Sequence, residues 1–146
     1  AVPDVYDNDD FPFKLGKAIT VREGSDITLI GCGETVVHCQ EAARLLHEDG
    51  IEARVLDMFS LKPFDREAVV KAARETGAII TAEEHSIFGG LGSTVASVVS
   101  EECPCRVKIL GVPDENVIHC KSPEAFKYYG FDFNGIYKAA HQMLKK

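Results

Sequence analysis

Ala78-Ile79-Ile80-Thr81-Ala82-Glu83-Glu84-His85-Ser86-Ile87-Phe88-Gly89-Gly90-Leu91-Gly92-Ser93 passes from an apolar run through a polar segment to a glycine cluster. So short and apolar a run, 78–82, reads as a strand buried on both faces, as parallel strands are. The glycines lead into a helical pattern over 93–101 with Val95, Val98 and Val99 turned inward. Upstream, Pro63 and Asp65 announce a helix that carries Val69, Val70, Ala72 and Ala73 and stops at Gly77. One buried strand between two helices is the unit of a layered α/β fold.

The same alternation extends in both directions. Towards the N-terminus, strand 53–57 follows a helix over 34–49 that ends at Gly50, with Val37, Ala42 and Leu45 on its inner side. Before it, Lys17 to Val21 and Asp26 to Ile30 read as strands joined by a turn containing Gly24, a connection short enough to predict an antiparallel hairpin. Towards the C-terminus, strand 106–112 is followed by two helices. Ser122-Pro123-Glu124 starts the first, with Ser122 as N-cap, and Gly130 ends it. Ile136, Ala139, Ala140, Met143 and Leu144 form one apolar face on the second. The expected fold is α/β: a three-layer sandwich around a five-stranded, mainly parallel sheet with one antiparallel edge strand. Residues 1–14, acidic and punctuated by Pro3 and Pro12, read as a linker from something upstream; residues 15–146 form the domain.

The 146 residues suffice for one domain. A net charge of −7 repels nucleic-acid phosphates and anionic lipid, and no basic patch offsets it, so neither nucleic acid nor membrane is expected as a partner. No apolar run approaches bilayer length, and no leader pattern is present. Five cysteines without a CxxC pair predict free thiols and a cytoplasmic protein.

Three constellations are candidates for chemistry. Gly31-Cys32-Gly33, with Asp57 closing the next strand, resembles the start of a dinucleotide fingerprint. Val36 stands where the third glycine is required, and Glu34 would repel a pyrophosphate; a tight turn is the alternative. The Glu83–Ser93 segment offers Gly89, Gly90 and Gly92 as a backbone cradle for an anion at a helix start, and His85 as a proton carrier tuned by Glu83 or Glu84. The plainer alternative is close helix–strand packing, with Glu84 and His85 bonding within an interface. Cys103-Pro104-Cys105, His38-Cys39 and His119-Cys120 contain metal-ligating types, but their spacing does not imply convergence. No catalytic residue, cofactor ligand or metal ligand is assigned.

Beyond this point the reading rests on a resemblance. Arg54-Val55-Leu56-Asp57-Met58-Phe59-Ser60-Leu61-Lys62-Pro63-Phe64-Asp65, the Glu83–Ser93 segment, Ser122-Pro123-Glu124-Ala125-Phe126-Lys127-Tyr128-Tyr129-Gly130 and the Leu15–Ile30 opening are similar to transketolase C-terminal domains, in order, over about residues 2–144. Related domains occur in 1-deoxyxylulose-5-phosphate synthase and in 2-oxo-acid dehydrogenase β subunits; the 57–65 segment looks more like transketolase. Val112 to Lys121 departs from the family's small, glycine-rich loop. The resemblance implies a parent enzyme of the pentose phosphate pathway that moves a two-carbon ketol unit between sugar phosphates. It implies thiamine diphosphate and Mg2+ (or Ca2+), both held by upstream domains, in the same chain or a partner subunit, of a homodimer. This domain would then serve packing and assembly and be inactive alone, with Glu84, His85, Gly89, Gly90 and Gly92 as a candidate interface or anion loop.

Overall fold

Every residue of Ile27–Gly31 and of Ala53–Asp57 is buried, so these two strands belong at the centre of the sheet. The computed structural model describes residues 3–6 and 13–145. Its elements are β1 (Ile19–Arg22), β2 (Ile27–Gly31), α1 (Thr35–Glu48), β3 (Ala53–Asp57), α2 (Arg66–Thr76), β4 (Ala78–Ser86), α3 (Leu91–Glu102), β5 (Arg106–Val112), α4 (Ser122–Tyr129) and α5 (Phe133–Leu144). The strand order is β1-β3-β2-β4-β5; β1 runs antiparallel to β3, and the other pairings are parallel.

Alternation along β2 separates the two cores. Ile27 and Leu29 face a cluster containing Cys39, Ala43 and Leu46 of α1, Phe126 of α4, Phe131, and Ile136 and Ala140 of α5. Ile30 faces the opposite cluster, built from Val69, Ala72 and Ala73 of α2 and Leu91, Val95, Val98 and Val99 of α3. Two apolar layers, each burying its own face of one sheet, give the three-layer sandwich its independent stability.

The opening pair of strands is not a hairpin. β1 pairs with β3, and β1 and β2 straddle it. A strand buried throughout, as β2 is, takes parallel neighbours on both sides, whereas half-exposed β1 stays at the edge. The turn between them crosses the start of β3: the amides of Ser25 and Asp26 both donate to the carbonyl of Glu52. Glycine is required there, since a Cβ on Gly24 would lie 2.3 Å from backbone atoms of Ala53 and Arg54.

Smaller departures have local causes. The inner face of α1 is Val36, Cys39, Ala43 and Leu46; Val37 and Leu45 lie one position round and are half-buried. Lys121 caps α4 and Ser122 is already helical, without a side-chain cap. Asp65 caps α2 through the Ala68 amide and also accepts from the Ala18 amide, fastening β1 to that helix. Of the linker segment, residues 1, 2 and 7–12 lie outside the described residues. Among the described residues no helix is long and apolar enough to cross a membrane.

Candidate functional site at the carboxyl ends of the strands

β4 extends to Ser86, so Glu83, Glu84 and His85 are strand residues rather than loop residues. A register shift against β5 between Ala82 and Ser86 lifts this end out of regular pairing. Glu83 turns inward and is 3% exposed. Its carboxylate accepts from the Leu91 amide (2.7 Å) and the Gly92 amide (2.8 Å) at the start of α3. The N-cap position, Gly90, has no side chain to do this. Glu83 therefore supplies, from within the chain, the negative charge that a helix N-terminus favours.

Each glycine of the cluster has a distinct local setting. Gly89 adopts φ +76°, a left-handed conformation. A Cβ on Gly90 would lie 2.0 Å from Oε2 of Glu83. On Gly92 it would meet Ile109 at 2.3 Å and Thr81 at 2.7 Å, so that position permits close approach of α3 to the sheet. His85 is exposed; its Nδ1 lies 2.9 Å from the Ser86 carbonyl and 3.9 Å from Oε2 of Glu83. Glu84 is exposed and points away from any pairing with His85 among the described residues.

The Gly31-Cys32-Gly33 turn lies next to this segment. Gly31 allows α1 to start directly against it, since a Cβ would fall 2.8 Å from the Val36 amide nitrogen. Thr35, absent from the sequence-based candidates, ties the turn to β4: its hydroxyl accepts from the Cys32 amide (3.0 Å) and donates to the Ala82 carbonyl (2.7 Å). Cys32, Glu34, Leu61, Glu84, His85 and the 89–91 turn line a pocket of about 260 Å3. Burial, together with the charges of Asp57 and Glu83, raises the Cys32 thiol pKa. Raised in this way, the thiol resists becoming a nucleophilic thiolate.

Asp57 is not placed as a ribose-binding acid. It is 6% exposed and accepts a 2.6 Å hydrogen bond from the Tyr6 hydroxyl. Among the described residues its Oδ1 has no partner. Burial raises its pKa, partly offset by the Tyr6 bond. A carboxyl whose folded pKa exceeds its unfolded one opposes folding once it ionises, so its contribution to stability is lost as pH rises through the folded value. Asp57→Asn keeps an acceptor for Tyr6 and removes the charge. Its stability relative to the parent chain should therefore increase between about pH 4 and pH 7 in urea titrations. A difference independent of pH would show that Asp57 is not the titrating group.

The chemistry implied for the parent enzyme finds no seat here. A diphosphate would need the α3 amides that Glu83 already occupies, and would face the carboxylates of Glu34 and Glu84. Among the described residues no three His, Cys, Asp or Glu side chains are placed to hold a metal ion. The five cysteines are free, and His38 packs edge-on against Phe126, with a ring separation of 5.2 Å. Thiamine diphosphate and its divalent metal do not fit the donors on this chain.

Known proteins share both the sequence and the fold. Residues 16–136 match the family described as "Transketolase, C-terminal domain". One of the two subunits of the apulose-4-phosphate transketolase of Phocaeicola vulgatus is 58% identical over 146 residues, covering all of this chain and 46% of that protein. A 1-deoxy-D-xylulose-5-phosphate synthase of Geobacter sulfurreducens is 42% identical over 132 residues, 89% of this chain and 21% of that protein. The solved structure described as "Split gene transketolase, inactive beta4 tetramer" superposes with a TM-score of 0.89 at 43% identity, covering 98% of this chain and 46% of that one. The chain spans about half the length of the transketolase subunit it matches.

Proposed function

The chain belongs to the transketolase C-terminal domain family, and from that premise we propose that it is the packing and assembly domain of a ketol-transferring enzyme, inactive alone. In this reading residues 1–14 connect to upstream domains and residues 15–146 form the C-terminal domain. Thiamine diphosphate and Mg2+ are held by the upstream domains, and the complete enzyme is a cytoplasmic homodimer. The observation that carries it is Glu83: the helix start at which the glycine turn would seat an anion is filled by the chain's own carboxylate. The same observation speaks against a nucleotide or anion module.

The 58% identity over the whole chain makes a split, two-polypeptide transketolase the first parent to test, with apulose 4-phosphate as the first substrate. Titration calorimetry of these 146 residues with thiamine diphosphate and Mg2+ is expected to show no heat of binding. Supplying the upstream region should restore both cofactor binding and ketol transfer. Micromolar binding to the isolated chain would overturn the assignment. Formation of 1-deoxy-D-xylulose 5-phosphate by the restored enzyme would move the parent to the synthase branch, which the 42% relative represents.

A further inference from the structure

We propose that the apolar pocket at the carboxyl end of the sheet, between Leu61 and Phe88, is the face on which the upstream region docks. The docking surface would present an apolar side chain flanked by lysine or arginine. The inference rests on the assembly reading and adds to it a face and a chemistry.

Leu61 is 41% exposed and Phe88 is 62% exposed, and both lie on segments leaving the carboxyl ends of β3 and β4. Two apolar side chains held open beside a glycine turn are a cost to an isolated domain and an asset at an interface. Charge decides what kind of surface fits. On the helical faces Glu41, Glu48, Glu67, Glu75, Glu101 and Glu102 each pair with an arginine or lysine. Among the described residues, neither Glu34 nor Glu84 at this pocket has such a partner. Bringing an apolar surface over two unpaired carboxylates strips water from them, and only incoming cations compensate for that loss.

The path of the N-terminal segment points to the same end. Pro3 lines a hollow with Glu34 and His38, the Tyr6 hydroxyl binds Asp57, and the Phe13 ring stands edge-on to Phe59 at 5.1 Å. Chain preceding residue 3, which relatives about twice as long carry, therefore arrives beside this pocket. A competing apolar patch around Val117 and Tyr128 has similar exposure, but Lys121 and Lys127 rather than unpaired carboxylates lie nearby in the chain.

Hydroxyl-radical footprinting separates the alternatives. Residues 1–146 are compared with the longer polypeptide, or subunit pair, that includes the upstream region. Phe88 and Leu61 should lose their labelling in the longer form while Tyr128 keeps its own. Glu34→Lys with Glu84→Lys, both at exposed positions, should return Phe88 labelling in the longer form to the level of the isolated chain. Protection of Tyr128 and Val117 with Phe88 still labelled would overturn the docking face and leave the assembly reading standing. Protection at neither patch, nor anywhere else in the domain, would overturn both. Persistent Phe88 protection in the doubly substituted protein would overturn the cationic partner.

Discussion

Glu83→Ala is expected to lower the unfolding free energy of the domain by about 3 kcal/mol, read from urea denaturation near neutral pH. The carboxylate is buried and accepts both the Leu91 and the Gly92 amide at distances typical of charge-assisted bonds. Truncation leaves two donors at a helix start without acceptors, each worth roughly 1–3 kcal/mol when buried. It also removes the charge that complements the dipole of α3. The adjoining pocket lets water reach part of the vacated space, which keeps the loss below the sum of its separate parts. Exposed His85, 3.9 Å away, adds little, because an ion pair so open to solvent is weak. Glu83→Gln should cost roughly half as much, since its carbonyl can accept one amide while its NH2 group confronts the other. A loss well below 1 kcal/mol for the alanine variant would mean that the α3 amides find another acceptor. The anion-cradle reading of the glycine turn would then regain its ground.

How far the sequence carries can be judged at this same site. Gly90 and Gly92 are visible as a cluster before a helix, and both an anion cradle and close packing explain a glycine cluster. What decides between them is that Glu83 points into the turn, and strand length controls that. The apolar run stops at Ala82, but the strand continues four residues further because its pairing with β5 shifts register. Apolar patterning cannot register polar residues that remain in a sheet. The hairpin fails for a related reason. Local connection length says that two strands can pair, but the choice of partner depends on burial across the whole sheet, and fully buried β2 belongs between β3 and β4. By contrast, the α2 start at Asp65, its stop at Gly77, β3 at 53–57 and β5 at 106–112 are all legible, because caps and short apolar runs are set by neighbours in sequence. The Tyr6–Asp57 and Thr35–Ala82 bonds join residues 51 and 47 positions apart, and no local pattern announces them.

Phe131→Ala should cost about 4 kcal/mol, within the range for deleting a fully buried aromatic ring. Phe131 stands between α4 and α5 and is 0% exposed. Its ring packs against Phe126 at 4.6 Å and lies parallel to Tyr129 at 6.4 Å. Its amide donates to the Phe126 carbonyl, in the turn where Gly130 takes φ +75°. The ring therefore holds the closing pair of helices to each other and to the sheet, and a methyl group cannot fill that volume. Typical domains have about 5–15 kcal/mol of stability, so the variant should remain folded with a much reduced margin. A second measurement locates the damage. Burial lowers the His38 pKa, and its ring rests between Phe126 and Phe133. If α4 and α5 loosen locally, the His38 imidazole gains water, and its pKa should move up towards the ordinary histidine value in an NMR titration. If urea unfolding weakens while His38 titrates as before, the loss is spread through the whole core rather than held at the closing helices. Phe131→Leu, which keeps most of the volume, should cost roughly 1 kcal/mol and leave His38 unmoved. Should the alanine and leucine variants lose the same amount, the ring's volume would not be what joins these helices to the sheet. The backbone bond to Phe126 would then have to carry that role.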